Sequence, residues 1–243
     1  GPLTIGITGT KGKSTTSSLI NHILETSGLE TILVGNIGQP ALSRLDQIGS
    51  KTKLVLEMSS HQLETLTTSP DIAVVQKVTS EHLDYYPNQQ AYLDSKKSIA
   101  MYQKVNQYII YNPEFENTKK IGKLSPGTHL FYRFKPAFDI KVNLKSHYLT
   151  FRYRDQEPEK IIKIDQIPLL GRHNLLNVMP AIIVAKLLQL SSNQISQAIE
   201  TFTPLPHRLE LVAEKRGIKY VNDSMATMPD AQFAALKAFD DSK

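Results

Sequence analysis

The 243-residue chain has no cysteine and no tryptophan. Without cysteine there can be no disulfide framework, no thiolate nucleophile and no Cys-based zinc site. No apolar run approaches the roughly 20 residues that a bilayer-spanning helix needs, and the first residues lack the charged-then-apolar pattern of a signal peptide. A reducing cytoplasm fits these absences. Charge of one sign is also scarce: 28 Lys plus Arg against 23 Asp plus Glu leave only +5. The short basic piece Lys119-Lys120-Ile121-Gly122-Lys123 has no interleaved aromatics and reads as a solvated loop, so no nucleic-acid partner is expected. An anionic small molecule suits the excess charge equally well. What remains is ordinary globular composition, 40% hydrophobic and 21% charged, which excludes a disordered or fibrous chain. The length allows one large α/β domain, or one domain plus a smaller piece.

Short apolar runs at 3–8, 31–34, 54–57, 72–75 and 108–111 are too continuous for one-sided strands. They predict strands buried on both faces of a parallel sheet. Between them, 13–26 carries Leu19, Ile20, Ile23 and Leu24 at helical spacing, and 89–103 follows a Pro87-Asn88 turn. This alternation predicts a doubly wound α/β sheet with helices on both faces. From 127 to 164 the runs become short and turn-separated, including His129-Leu130-Phe131-Tyr132, and predict a small antiparallel sheet attached to the main one. Helices are expected at 174–188 and 192–202. Thr203-Pro204-Leu205-Pro206 then reads as a linker. A strand at 219–221 and a helix at 229–239 follow. They are too little for a core of their own, so they are expected to open a second, Rossmann-like α/β domain that is cut off.

The strongest local signal is Gly6-Ile7-Thr8-Gly9-Thr10-Lys11-Gly12-Lys13-Ser14-Thr15, at a strand-to-helix junction. Glycines let the backbone wrap a phosphate, and a helix N-terminus points amides at it. Lys13 would neutralise β/γ-phosphate charge and the Ser14 hydroxyl would hold Mg²⁺. The usual spacing asks for glycine where Ile7 stands, so the generic pattern is incomplete. A glycine-rich turn with a capping serine is the blander alternative.

Further unusual segments sit at the ends of the expected strands: Gly35-Asn36-Ile37-Gly38-Gln39-Pro40, Glu57-Met58-Ser59-Ser60-His61-Gln62-Leu63-Glu64, and Thr79-Ser80-Glu81-His82-Leu83-Asp84-Tyr85-Tyr86-Pro87. Open parallel sheets bind ligands beyond their carboxyl ends, so these segments should share one crevice with the phosphate loop. Together with Tyr92-Leu93-Asp94-Ser95-Lys96, Gly171-Arg172-His173-Asn174-Leu175-Leu176-Asn177, Leu205-Pro206-His207-Arg208-Leu209-Glu210 and Asn222-Asp223-Ser224-Met225-Ala226-Thr227, the series resembles the Mur ligase family. Those enzymes are ATP-dependent amide-bond ligases of peptidoglycan precursor synthesis. The likeness covers nearly the whole chain and is greatest to the branch that joins glutamate to UDP-N-acetylmuramoyl-L-alanine.

The resemblance implies a mechanism. ATP converts a carboxylate to an acyl phosphate, and the amine of the incoming amino acid displaces phosphate. Two anions must be brought together, which calls for cations and fixed dipoles. By resemblance, Gly9, Thr10, Lys11, Gly12, Lys13, Ser14 and Thr15 cradle the phosphates. Ser14 and Glu57 hold a first Mg²⁺, with Mn²⁺ as a substitute. His82 and Lys96, the latter carbamylated, serve a second metal, with Asp84 in support. Asn36 faces substrate and phosphates. Asn174 and Asn177 read adenine, Arg208 reaches the γ-phosphate as domains close, and Asp223 contacts the ribose or acts at the hinge. Lys13, His82, Lys96 and Arg208 form the catalytic set. Lys97 beside Lys96 leaves an ordinary surface-lysine reading open, and a bland interdomain ion pair stays open for Arg208 and Asp223.

The same likeness implies residues 3–205 as the central ATP-binding domain and 206–243 as the start of a C-terminal domain. By the same likeness no N-terminal UDP-binding domain is expected within this chain, a monomer is expected, and the fragment is not expected to ligate alone. One departure matters. This branch commonly carries lysine where Met225 stands, and a thioether cannot neutralise a glutamate carboxylate, so D-Glu and L-Glu both stay open. The rival readings are a folylpolyglutamate synthetase-like ligase, a non-catalytic ATP-binding module and a small-molecule kinase.

Overall fold

The computed structural model describes residues 1–37, 40–79, 84–135, 140–153, 156–226 and 229–240. Its centre follows from the apolar runs. Strands β1 (Leu3–Thr8), β2 (Thr31–Gly35), β3 (Lys53–Glu57), β4 (Ile72–Val75), β5 (Tyr108–Tyr111) and β6 (Thr128–Tyr132) lie parallel in the order β2-β3-β1-β4-β5-β6. The register pairs Ile7 with Glu57 and Thr8 with Val75. The chain runs outward from β1 to β2 in one direction and from β3 to β4 in the other. The strand order therefore reverses beside β1, and a ligand crevice is expected beyond the carboxyl ends there. The sheet continues through β7 (Ile140–Lys145), parallel to β6, and the antiparallel β8 (Tyr148–Phe151) and β9 (Glu159–Lys163), giving nine strands.

Helices cover both faces, and the period-two alternation of β4 divides the core. Ile72 and Val74 face one layer; Ala73 and Val75 face the other. The first layer holds α1 (Lys13–Thr26), α6 (Arg172–Leu187) and α7 (Ser192–Glu200), packed through Leu19, Ile23, Val178, Ile182 and Ile195. The second holds α2 (Ser60–Glu64), α3 (Gln89–Asp94), α4 (Ser98–Met101) and α5 (Glu116–Gly122), packed through Leu63, Leu93, Ile99 and Ile121. Helix α1 stops where Gly28 takes φ 80 and the Leu29 N–H folds back to the Leu24 carbonyl. Helix α7 starts on a capping box in which the Ser191 and Gln194 side chains serve each other's backbone N–H. Beyond the linker, β10 (Glu210–Lys215) and β11 (Ile218–Asn222) form a two-stranded antiparallel sheet, followed by α8 (Pro229–Asp240). No described helix is long and apolar enough to cross a membrane.

Three elements differ from the sequence expectation. His129–Tyr132 belongs to the parallel sheet, because β6 pairs with β5, and only β7–β9 carry the antiparallel extension. The single helix expected over 89–103 is two short helices with a turn at Ser95-Lys96-Lys97. Strand β10 was not foreseen: five of its six residues are exposed, and its short apolar piece Leu211-Val212-Ala213 is closed on both sides by glutamate.

Candidate functional site

The carboxyl ends of β1, β2, β3 and β4 converge on the loop before α1. This loop is shaped by what its glycines lack. A Cβ on Gly9 would lie 2.6 Å from Gln76 Cβ, and one on Gly12 would lie 2.2 Å from Asn177 Oδ1; Gly12 also takes φ 86. Both positions therefore exclude side chains. The Thr10 N–H donates to the Lys77 carbonyl, and the Thr10 hydroxyl contacts the Thr79 carbonyl and the Tyr92 hydroxyl, each at 3.1 Å. Lys13 turns its ammonium back over the loop, donating to the carbonyls of Gly9 (3.0 Å) and Thr10 (3.1 Å). Lys11 is exposed and Thr15 is buried.

Glu57 ends β3 beneath this loop and is 1% exposed. Its Oε1 accepts from the Ser14 hydroxyl (3.2 Å) and from Asn36 Nδ2 (3.3 Å). The Asn36 backbone N–H also donates to the Glu57 carbonyl, which fixes the end of β2 against β3. The other carboxylate oxygen, Oε2, is buried with no hydrogen-bond partner among the described residues. An ionised oxygen in that position is costly unless a cation or donor reaches it. Ser14 and Glu57 are hard oxygen donors of the kind that Mg²⁺ takes. The residues present thus fit a divalent cation between the loop and β3.

A cavity of about 190 Å³ opens beside this pair, lined by Lys13, Asn36, Ser59, Ser60, His61, Tyr92 and Lys96. Lys96 is 1% exposed and holds its amine 4.7 Å from the centre of the Tyr92 ring. Its neighbour Lys97 instead pairs with Asp94 at 2.7 Å on the surface. The break between α3 and α4 thus turns Lys96 inward and Lys97 outward. Ser59 caps α2 in a reciprocal box with Gln62, holding His61 at the cavity wall. An aromatic chain continues from His61 to Tyr85 (4.5 Å), Tyr86 (4.9 Å from Tyr85) and Tyr92 (5.4 Å from Tyr86). Ser60, His61 and Tyr92 were not assigned roles from sequence, although they stand inside the motifs that drew attention. His82 lies outside the described residues, as does Thr227.

Asn174 and Asn177 occupy the first turns of α6 and are both buried. Asn177 Nδ2 donates to Asn174 Oδ1 (2.8 Å), and Asn174 Nδ2 donates to the Leu170 carbonyl (2.6 Å). Through Gly12, Asn177 touches the phosphate loop directly. Asp223 follows β11, and its Oδ1 accepts from the Leu209 backbone N–H, at a residue with φ 47. Burial pushes the His173 imidazole below its ordinary pKa, and the Asp223 carboxylate partly opposes this. Arg208 is half-buried in the same turn and does not line the cavity. Lys13, Ser14, Asn36, Glu57 and Lys96 are therefore gathered at one place, with Asn174 and Asn177 next to it. Arg208 and Asp223 form a separate group.

The sequence model of the "Mur ligase middle domain" matches residues 7–185. A UDP-N-acetylmuramoylalanine–D-glutamate ligase of Acetivibrio thermocellus is 36% identical over 235 residues, covering 97% of this chain and 50% of that protein. The chain thus spans about half the length of such relatives. Among solved structures, MurF ligase from Thermotoga maritima in complex with ADP superposes with a TM-score of 0.73 at 19% identity, over 98% of this chain and 57% of that one. E. coli FolC in complex with DHPP and ADP gives 0.64 at 16%, over 91% and 61%. The two structural likenesses speak to fold alone. The sequence match covers most of the chain and includes the phosphate loop from Ile7 onward, Glu57, Lys96 and both asparagines of α6, and by it the chain belongs to the Mur ligase family.

Proposed function

We propose that this chain is the nucleotide-handling part of an ATP-dependent ligase of peptidoglycan precursor synthesis, joining glutamate to UDP-N-acetylmuramoyl-L-alanine in the cytoplasm. The observation that carries the reading is the buried Glu57 carboxylate, one oxygen facing Ser14 and Asn36 and the other without a partner. Ser14 and Glu57 would hold Mg²⁺, with Mn²⁺ as a substitute, and the metal would neutralise phosphate charge. The remaining work belongs to the chain. Gly9, Lys11, Gly12 and Thr15 present backbone amides to the phosphates, Thr10 pins the loop that carries them through its bonds to Lys77 and Thr79, and Lys13 exchanges its loop carbonyls for phosphate oxygens. Asn174 and Asn177 receive adenine. Asn36 orients the substrate carboxylate toward the γ-phosphate. The carboxylate oxygen attacks phosphorus and ADP leaves. The glutamate amine then attacks the acyl carbon, phosphate leaves, and the amine loses its proton.

In this reading Lys96 is carbamylated. Buried at the cavity wall, it would turn from an ammonium into an anion that helps position a second metal together with His82. Residues 3–205 form the central ATP-binding unit, and 206–243 begin the unit that brings Arg208 and Asp223 to the nucleotide. The full-length protein decides the matter. Phosphate release that requires both UDP-N-acetylmuramoyl-L-alanine and glutamate supports the reading. A stable phosphorylated product formed without amino acid overturns it in favour of a kinase. D-Glu and L-Glu compared in the same assay, with Met225→Lys beside the parent, read the stereochemical preference. The 243-residue chain alone should bind ATP·Mg²⁺ weakly and release no phosphate in response to amino acid.

A further inference from the structure

Gln76 stands directly after β4, outside every motif that marks the site, and is 2% exposed. Its side chain joins three elements. The Tyr132 hydroxyl of β6 donates to Gln76 Oε1 at 3.0 Å. Gln76 Nε2 donates to Thr16 Oγ1 of α1 at 2.5 Å and is directed at the Leu176 carbonyl of α6 at 3.5 Å. The Thr16 hydroxyl in turn donates to the Asn177 carbonyl at 3.2 Å. These bonds allow one direction only. Thr16 has a single hydrogen, committed to Asn177, so toward Gln76 it can only accept. The amide nitrogen must then face Thr16, and the amide oxygen is left for Tyr132.

The Leu176 carbonyl has a specific reason to need a donor. Pro180 lies inside α6, four residues on, and has no N–H. The helix therefore leaves this carbonyl without its usual partner. Gln76 reaches toward that gap with its second amide hydrogen. The Gln76 backbone is equally placed: its N–H donates to the Thr8 carbonyl, and its Cβ fills the space beside Gly9. One buried amide thus ties the first turn of α1, the proline-loosened turn of α6 and the floor of the phosphate loop together.

We propose that Gln76 is a positioning residue for nucleotide binding, holding the phosphate loop and the asparagine-bearing turn of α6 in one fixed relation. This rests on the nucleotide reading given above. The Gln76 side-chain amide is already committed to Tyr132, Thr16 and the Leu176 carbonyl. It acts through Gly9, Thr16 and Asn177, so a ligand that spans the loop and α6 should feel its loss more than one that meets α6 alone.

The test is calorimetric binding of ATP·Mg²⁺ and of adenosine to the 243-residue chain, at a temperature where each variant is folded by circular dichroism. Gln76→Met should weaken ATP·Mg²⁺ about 10-fold and adenosine less than about 3-fold. Tyr132→Phe, which removes one of the amide's restraints, should act in the same direction and less. Pro180→Ala restores a backbone N–H for Leu176, so Gln76→Met should cost less affinity in that background. A lowered Tm with unchanged affinity for ATP·Mg²⁺ in Gln76→Met would show a merely structural residue and overturn the proposal. If Gln76→Met does not fold, unchanged affinity in Tyr132→Phe overturns it instead. Failure of the unaltered chain to bind ATP·Mg²⁺ would overturn the nucleotide reading as well, so the two failures are distinguishable.

Discussion

The two ends of the parallel sheet each hold a carboxylate, and the two are treated differently. At the amino end, Asp71 precedes β4 and accepts from the Thr4 backbone N–H (2.9 Å), the Thr4 hydroxyl (2.7 Å) and Gln107 Nε2 (2.9 Å). Burial alone would raise its pKa, but these donors outweigh it and hold the carboxyl below its ordinary value. At the carboxyl end, Glu57 is more deeply buried, yet one of its oxygens has no donor among the described residues. A satisfied carboxylate clamps strands together. An unsatisfied one held rigid beside a phosphate loop is arranged for something that arrives later.

The largest effect should come from removing the loop's cation. Lys13→Ala should weaken ATP·Mg²⁺ at least 100-fold, about 2.7 kcal/mol, in a calorimetric titration, while thermal stability changes little. Retained affinity would mean that the loop does not take phosphate.

Glu57→Gln and Asp71→Asn then set the two ends directly against each other. Glu57→Gln should weaken ATP about 10-fold when Mg²⁺ is present and hardly at all when it is chelated. It should leave Tm unchanged or raised, because a neutral amide costs less to bury than an ion. Asp71→Asn should do the reverse, leaving nucleotide affinity intact and lowering stability by about 1–2 kcal/mol in urea unfolding, for the charge-assisted bonds it loses. Equal effects from the two substitutions would erase the distinction.

The smallest effect is an acid limb. The folded pKa of Asp71 lies below its unfolded value of 3.8. The stability it contributes is therefore present above that value and is lost as pH falls through the folded pKa. Urea midpoints measured from pH 5 to pH 2 should fall more steeply for the parent than for Asp71→Asn.

Strands β1 to β5 were legible because burial leaves an uninterrupted apolar run, and β4 was bounded to the residue, whereas β6, with only Leu130 and Tyr132 buried, was read into the antiparallel part. Glu57 drew attention only through the family resemblance; as the last residue of an apolar run it would otherwise read as a strand-terminal carboxylate. Two features were hidden by their own chemistry. The break at Ser95-Lys96-Lys97 was not visible because Leu93, Ile99 and Ala100 continue the helical spacing across it, and a lysine gives no sign of turning inward. Gln76 was invisible because its value lies in partners 56 and 60 residues away, Tyr132 and Thr16, which no local pattern joins. Strand β10 failed in the opposite sense. Its residues face solvent, so the periodicity that betrays other strands never develops.

The position of the Lys13 ammonium on the carbonyls of Gly9 and Thr10 has a thermodynamic consequence. An incoming triphosphate does not simply add contacts to this loop. It trades two existing charge-assisted bonds for new ones, so the net enthalpy of association should be smaller than the final number of contacts suggests. Before the ligand comes, the same arrangement shields those carbonyls. The loop then holds its shape without a phosphate, and less ordering is left to be done at the moment of binding.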